Sequence, residues 1–166
     1  MSATLEHLTS FAVVILVQFL FFVVHSIIVG ERSTIFKHLG QGMLLGLPFG
    51  IIFDLCVGKF VGMYEYQLGF MFWFLTINGL FSFGFMMANV RLLYHHTLKH
   101  LYVWSVLLAL VYELTNYFFP VWNWTFASSA TIEYAFVILI AYTGITVLMM
   151  GALKLTYRVH FRLLPF

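Results

Sequence analysis

The chain is 166 residues long, 63% hydrophobic and 8% charged, with a mean hydropathy of +0.99 and a formal net charge of +2. Soluble domains run at roughly 45–50% apolar and about 25% charged, so these few charges cannot coat a water-soluble globule and the excess apolar surface must face lipid. The small net charge gives no sign of nucleic-acid binding, and the single Cys56 excludes an intrachain disulfide and argues against a cysteine-ligated metal centre.

A membrane-crossing helix needs about 20 apolar residues. Five runs meet that requirement, at roughly 11–30, 41–60, 68–90, 101–119 and 131–153, and they use nearly all of residues 1–166 as one transmembrane domain. The predicted fold is an all-α, polytopic integral membrane helical bundle of about five spans. The first run is too long for a removed signal peptide and is flanked by Glu6 and His7 rather than by a Lys/Arg cluster, so it is read as a retained span. Within it, Gln18 and His25 lie seven apart and share a helix face.

The second run carries the sharpest local pattern. Gly42, Gly46, Gly50, Asp54 and Gly58 recur every fourth residue and form one stripe. Such a stripe lets another backbone approach closely, within the chain or from a second copy. Asp54 continues it and should face protein rather than lipid. Cys56 is read as a small buried hydrophobe. The loop that follows holds Tyr64-Glu65-Tyr66, whose rings suit the headgroup level. The third run brings Trp73, then Asn78, Ser82 and Asn89 at helical spacings.

Tyr94 to His100 is read as a basic interfacial loop touching anionic headgroups, as is the tail from Lys154 to Arg162. The fourth run contains Glu113, with Asn116 three residues on, and is followed by Trp122-Asn123-Trp124. Glu133 opens the fifth run. Seven of the eight Lys/Arg fall on one set of alternate loops, with Lys59 alone on the other. By the positive-inside rule this predicts a plasma-membrane protein with its N-terminus outside and its C-terminus in the cytoplasm.

The stretch from 42 to 90 resembles that from about 101 to 150. Phe53-Asp54-Leu55 precedes Tyr64-Glu65-Tyr66 as Tyr112-Glu113-Leu114 precedes Trp122-Asn123-Trp124. The bundle is therefore expected to be one helix plus two repeated helical hairpins, related by an axis along the membrane normal. The two carboxylates would then lie at one depth.

An ionisable group inside a span marks a functional site by default. Asp54, Glu113 and Glu133 are the candidate catalytic acids and bases, or alternatively structural caps and hydrogen-bond acceptors. His25, Asn78, Asn116, Trp73 and Trp122 are the candidate substrate contacts. No metal-ligand, phosphate-loop or cofactor motif accompanies them, and none is expected to be needed.

Leu47-Pro48-Phe49-Gly50-Ile51-Ile52-Phe53-Asp54, then Gly62-Met63-Tyr64 and Leu68-Gly69-Phe70, resembles the core of the membrane-bound lycopene cyclase domain. That resemblance implies a non-redox cyclisation or isomerisation of a carotenoid-like isoprenoid, with Asp54 and Glu113 at the matching acidic positions. The family's Pro-x-Glu-Glu motif has no counterpart in Trp73 to Asn78, and Ala130 to Tyr134 keeps only one Glu. The Gly46-to-Gly62 stretch is similar, secondarily, to the small rod-shape-determining membrane subunit, a non-enzymatic scaffold. The alternative function is therefore a subunit of a homo-oligomer or larger membrane complex, with lipid as the shared partner of both readings.

Overall fold

The computed structural model describes residues 3–93, 98–125 and 132–158, with side chains for 4–93, 101–125 and 135–158. Its elements in chain order are α1 (Ala3–Ile28), a 3-10 turn (Arg32–Thr34), α2 (Ile35–Phe53) running into a π-helical stretch (Asp54–Phe60), and the short strand β1 (Tyr64–Tyr66). There follow α3 (Phe72–Asn78), a second π-helical stretch (Gly79–Phe83), α4 (Gly84–Leu92), α5 (Leu98–Phe118), β2 (Trp122–Trp124) and α6 (Ile132–Tyr157). Five helical segments are long and apolar enough to cross a membrane: 4–28, 32–60, 72–92, 101–118 and 135–157. The bundle is thus all-α, with one helix followed by two helix–strand–helix units.

Several boundaries differ from the sequence reading: α2 starts at Ile35 rather than near 41, α6 runs to Tyr157 rather than 153, and two further shifts have visible causes. The first helix starts at Ala3, ahead of the apolar run, because Glu6, His7 and Thr9 extend it as a polar turn. The third span starts at Phe72 because Gln67 is committed to the loop by a backbone bond to Val121 and Gly69 turns the chain at φ 69°.

The third span is central. In its most apolar window 72% of residues are buried, against 22–39% in the other four. Around the bundle, side chains such as Phe36, Leu44, Ile52, Phe72 and Leu155 point outward. A soluble protein would have to bury these, and in a bilayer they are the lipid-facing surface.

The glycine stripe of α2 packs against this central span. A Cβ on Gly46 would lie 2.5 Å from Gly84 Cα, one on Gly42 2.5 Å from Gly84 O, and one on Gly50 2.7 Å from Gly79 Cα. Both sides of the seam belong to one chain, so the stripe is spent within the protomer rather than on a second copy. Cys56 lies on the opposite face of the helix and is exposed, correcting the expectation that it is buried. At ~100° per residue, two positions beyond Asp54 is the far side of the helix.

The two loops β1 and β2 pair antiparallel, with Tyr64 opposite Trp124, Glu65 opposite Asn123 and Tyr66 opposite Trp122. Under the repeat correspondence (Tyr64 with Trp122, Tyr66 with Trp124) this register maps onto itself. The flanking backbone bonds do the same: Gln67 N–H donates to Val121 O at 2.8 Å, and Thr125 N–H donates to Met63 O at 3.0 Å. The loop pairing is thus symmetric about the Glu65–Asn123 pair, as an antiparallel ladder is about its central residues.

Candidate functional site

Asp54 sits where the glycine seam ends and the π-helical stretch begins. It is fully buried. A wide π turn there loosens the regular helical ladder, a feature frequent at functional positions, and the second π stretch lies directly after Asn78 on the facing span. Three neutral donors hold the carboxylate: Tyr64 Oη–H at 2.6 Å and Tyr66 Oη–H at 2.8 Å on Oδ1, and Asn78 Nδ2–H at 3.0 Å on Oδ2. Asn78 also donates to Tyr66 Oη at 2.9 Å, closing the network. No Lys, Arg or His is among Asp54's hydrogen-bond partners. Every bond points at the carboxyl group.

Gly58 makes this arrangement possible. A Cβ there would stand 2.8 Å from the rings of both Tyr64 and Phe70, so its absence lets Tyr64 lie against the helix and reach Asp54. Both tyrosines turn into the protein, with Tyr64 5% exposed, rather than outward to headgroups as expected. The alternation of a strand puts residues 64 and 66 on one face and exposes Glu65 on the other. Burial and the neighbouring Asp54 charge push both hydroxyls well above the ordinary tyrosine range, so each remains a donor.

Glu113, half-buried on α5, holds the second loop in the same manner. Trp124 Nε1–H donates to both carboxylate oxygens at 3.2 Å and Tyr142 Oη–H donates at 2.9 Å. Asn116 fixes the loop behind it. Its Oδ1 accepts from Val121 N–H at 2.8 Å and Trp122 N–H at 3.1 Å, while its Nδ2–H donates to Trp122 O at 2.8 Å.

The two networks enclose the same space, a cavity of about 50 Å³. Three repeat-equivalent pairs line it: Phe53 with Tyr112, Tyr64 with Trp122, and Tyr66 with Trp124. Asn78, Ser82, Phe83 and Tyr142 contribute from the third and fifth spans. Tyr112 Oη–H donates to Ser82 O at 3.2 Å, joining the fourth span to the third at the cavity edge. Asp54 and Glu113 stand one side chain behind the wall, and their partners form its surface.

Among the predicted residues, Asn78 and Trp122 line the cavity and Asp54 and Glu113 organise it. Asn116 serves the loop backbone. Trp73 is 43% exposed and packs edge-on against Phe74, away from the cavity. Glu133 falls in the first turn of α6, where its side chain lies outside the described residues, as do residues 94–97 of the basic loop.

His25 belongs to a different place. It is buried against Trp104, with ring centroids 3.6 Å apart, and beside a separate space of about 10 Å³. Asn89 donates to Phe85 O at 2.9 Å, leaving Oδ1 to accept from His25 Nδ1–H at 3.0 Å. Among the described residues, no group of three or more His, Cys, Asp or Glu could hold a metal.

Fold and site define a polytopic α-helical membrane bundle with an aromatic cavity between its two helix–strand–helix units. Compared with family models, with curated proteins and with solved structures, the chain matches none.

Proposed function

We propose that this cavity binds the end group of a long apolar molecule, isoprenoid-like in character, whose chain lies in the surrounding lipid. The observation that supports this is the convergence of six aromatic side chains from the two helix–strand–helix units on one space, with Tyr64 and Tyr66 bonded to Asp54 and Trp124 bonded to Glu113. Pockets of this kind, apolar with a few fixed polar groups, are the usual ligand sites of proteins. The volume sets a limit. At about 50 Å³ the cavity is a third of the ~150 Å³ that admits benzene. A slender chain end fits, and a six-membered ring requires the β1–β2 loops to shift.

The enzymatic form of this reading is acid–base isomerisation or cyclisation, following the lycopene cyclase resemblance. Asp54 itself does not line the cavity, so a proton would pass between ligand and Asp54 through Tyr64 or Tyr66. In the observed arrangement the carboxylates accept, which suits proton removal; delivery would require one of them to be protonated first. Glu133 stays a candidate for that role. The scaffold reading is favoured by a different observation, the full engagement of Asp54 by three donors inside the protein. In it the carboxylates are clasps that hold the loops. The seven basic residues on one side support insertion in the plasma membrane with the N-terminus outside.

Mass spectrometry of lipid extracted from the purified protein tests the ligand. An enriched isoprenoid or other long apolar species, lost in Trp122→Leu but kept in a lipid-facing control such as Leu155→Ala, is the expected result. Extracts identical to bulk membrane lipid would favour the scaffold.

A further inference from the structure

The chemistry of the cavity wall narrows the ligand beyond apolar. Four phenols and two indoles reach the space, and the polar hydrogens of the phenols and of Trp124 are already committed, while Trp122 Nε1–H and the Ser82 hydroxyl are the donors left to it. Tyr64 and Tyr66 donate to Asp54, Tyr142 and Trp124 donate to Glu113, and Tyr112 donates to Ser82 O. These five groups therefore offer the cavity ring faces and oxygen lone pairs, not donors. A ligand headed by a carboxylate or phosphate would find only two neutral donors, Trp122 Nε1–H and the Ser82 hydroxyl, with two carboxylates behind the wall opposing its charge. A positively charged head would meet the negative faces of the rings, with two carboxylates directly behind them. One of these, Asp54, is wholly buried and held by neutral donors only.

A metal ion is disfavoured because the carboxylates stand behind the aromatic layer instead of lining the space, and the described residues hold no ligand cluster. Size limits the head in turn. The cavity, at about 50 Å³, lies between the ~10–15 Å³ that holds one water and the ~150 Å³ that holds benzene. That suits a primary or monomethylated ammonium with its first methylenes.

We propose that the cavity is a cation-selective cage for the compact ammonium head of a membrane-embedded amphiphile. This rests on the reading of the space as a chain-end site and names the end group. The test uses the full chain in nanodiscs of zwitterionic lipid, with the intrinsic fluorescence of Trp122 and Trp124 as readout and empty discs as the partition control. n-Dodecylamine, n-dodecanol and dodecanoate are titrated in parallel.

Saturable binding of the amine at least tenfold tighter than the alcohol, with no saturable binding of dodecanoate, is the expected result. In Asp54→Asn the preference should fall below threefold. In Trp122→Leu, which removes a ring face and spares both carboxylate networks, amine affinity should fall at least fivefold and alcohol affinity less than twofold. Equal binding of amine and alcohol would overturn the cation preference and leave the chain-end reading standing. Tighter binding of dodecanoate, or an unchanged preference in a folded Asp54→Asn, would also overturn it. No saturable binding by any of the three would overturn both. The wild-type titrations decide the matter even if Asp54→Asn does not fold.

Discussion

Removing one hydroxyl at a time separates the two tyrosines that hold Asp54. Tyr64→Phe deletes one donor at 2.6 Å from a buried carboxylate and leaves Tyr66 and Asn78 in place. Hydrogen bonds to charged groups contribute about 1.5–3 kcal/mol, and that is the expected loss. Tyr66→Phe deletes the bond to Asp54 at 2.8 Å and also the acceptor for Asn78 at 2.9 Å. Adding about 0.5–1.5 kcal/mol for the neutral bond gives an expected loss of roughly 2–4.5 kcal/mol. Both phenylalanines keep the ring and its packing on Phe70, so the difference reports the hydroxyls. Reversible unfolding in mixed micelles, followed by tryptophan fluorescence and by helical circular dichroism, measures it. A double-mutant cycle with Asp54→Asn should show coupling above about 1 kcal/mol for each tyrosine, as contacting residues in one network do. The reasoning fails if Tyr64→Phe destabilises more than Tyr66→Phe, or if neither couples to Asp54.

Gly46→Ala places a methyl group 2.5 Å from the Gly84 backbone, where no side chain can yield, and should cost more than the ~1–3 kcal/mol of ordinary overpacking; the same unfolding assay reports it, with Gly151→Ala as the unstrained control. Asn116→Ala removes three hydrogen bonds to the β2 loop and should raise hydrogen exchange at residues 121–124 without loss of overall helicity. Cys56 faces outward from the second span, so a membrane-permeant maleimide should label it in intact vesicles; protection would mean that a partner covers that face. A reporter fused after residue 166 should be active only on the cytoplasmic side if the basic loops set the topology.

Asp54 was legible because a four-residue period survives from Gly42 to Gly58 and the charge falls inside it. A helix turns every 3.6 residues, so one buried face shows in the spacing alone. The pairing of the two loops was legible only as likeness. The triplets Tyr64-Glu65-Tyr66 and Trp122-Asn123-Trp124 marked the repeat, but their composition matches interfacial aromatics equally well. What distinguishes the two environments is the acceptor within reach, a three-dimensional fact. Tyr112 was marked only as the counterpart of Phe53 and Tyr142 gave no signal, since a tyrosine in an apolar run reads as lipid-facing or core alike. Trp73 was misplaced for the reverse reason: its position on the third span carries no period that tells inward from outward. His25 was read as a candidate substrate contact, and sequence could not show that it belongs with Trp104 and Asn89 rather than with the carboxylates.

The loop pairing is symmetric about Glu65 and Asn123, and the side chains that hold the two loops are not. Backbone pairing, loop register and three pairs of lining residues obey the symmetry. The carboxylate clasps do not. Asp54 is shorter, fully buried and bound by two phenols and an amide, whereas Glu113 is half-buried and, among the described contacts, accepts from an indole and a phenol. A purely structural clasp repeated twice would have no need to differ. A cavity that grips one molecule with a distinct head and tail does, because the ligand lacks the symmetry of the walls. The unequal carboxylates therefore bear on the choice between clasp and binding site. Glu113→Asp and Asp54→Glu should have unequal effects on ligand affinity but similar effects on loop order if the cavity is a binding site, measurable by the same titrations and by hydrogen exchange at residues 64–66 and 122–124. Equal effects on affinity, or none, would return both carboxylates to a structural role.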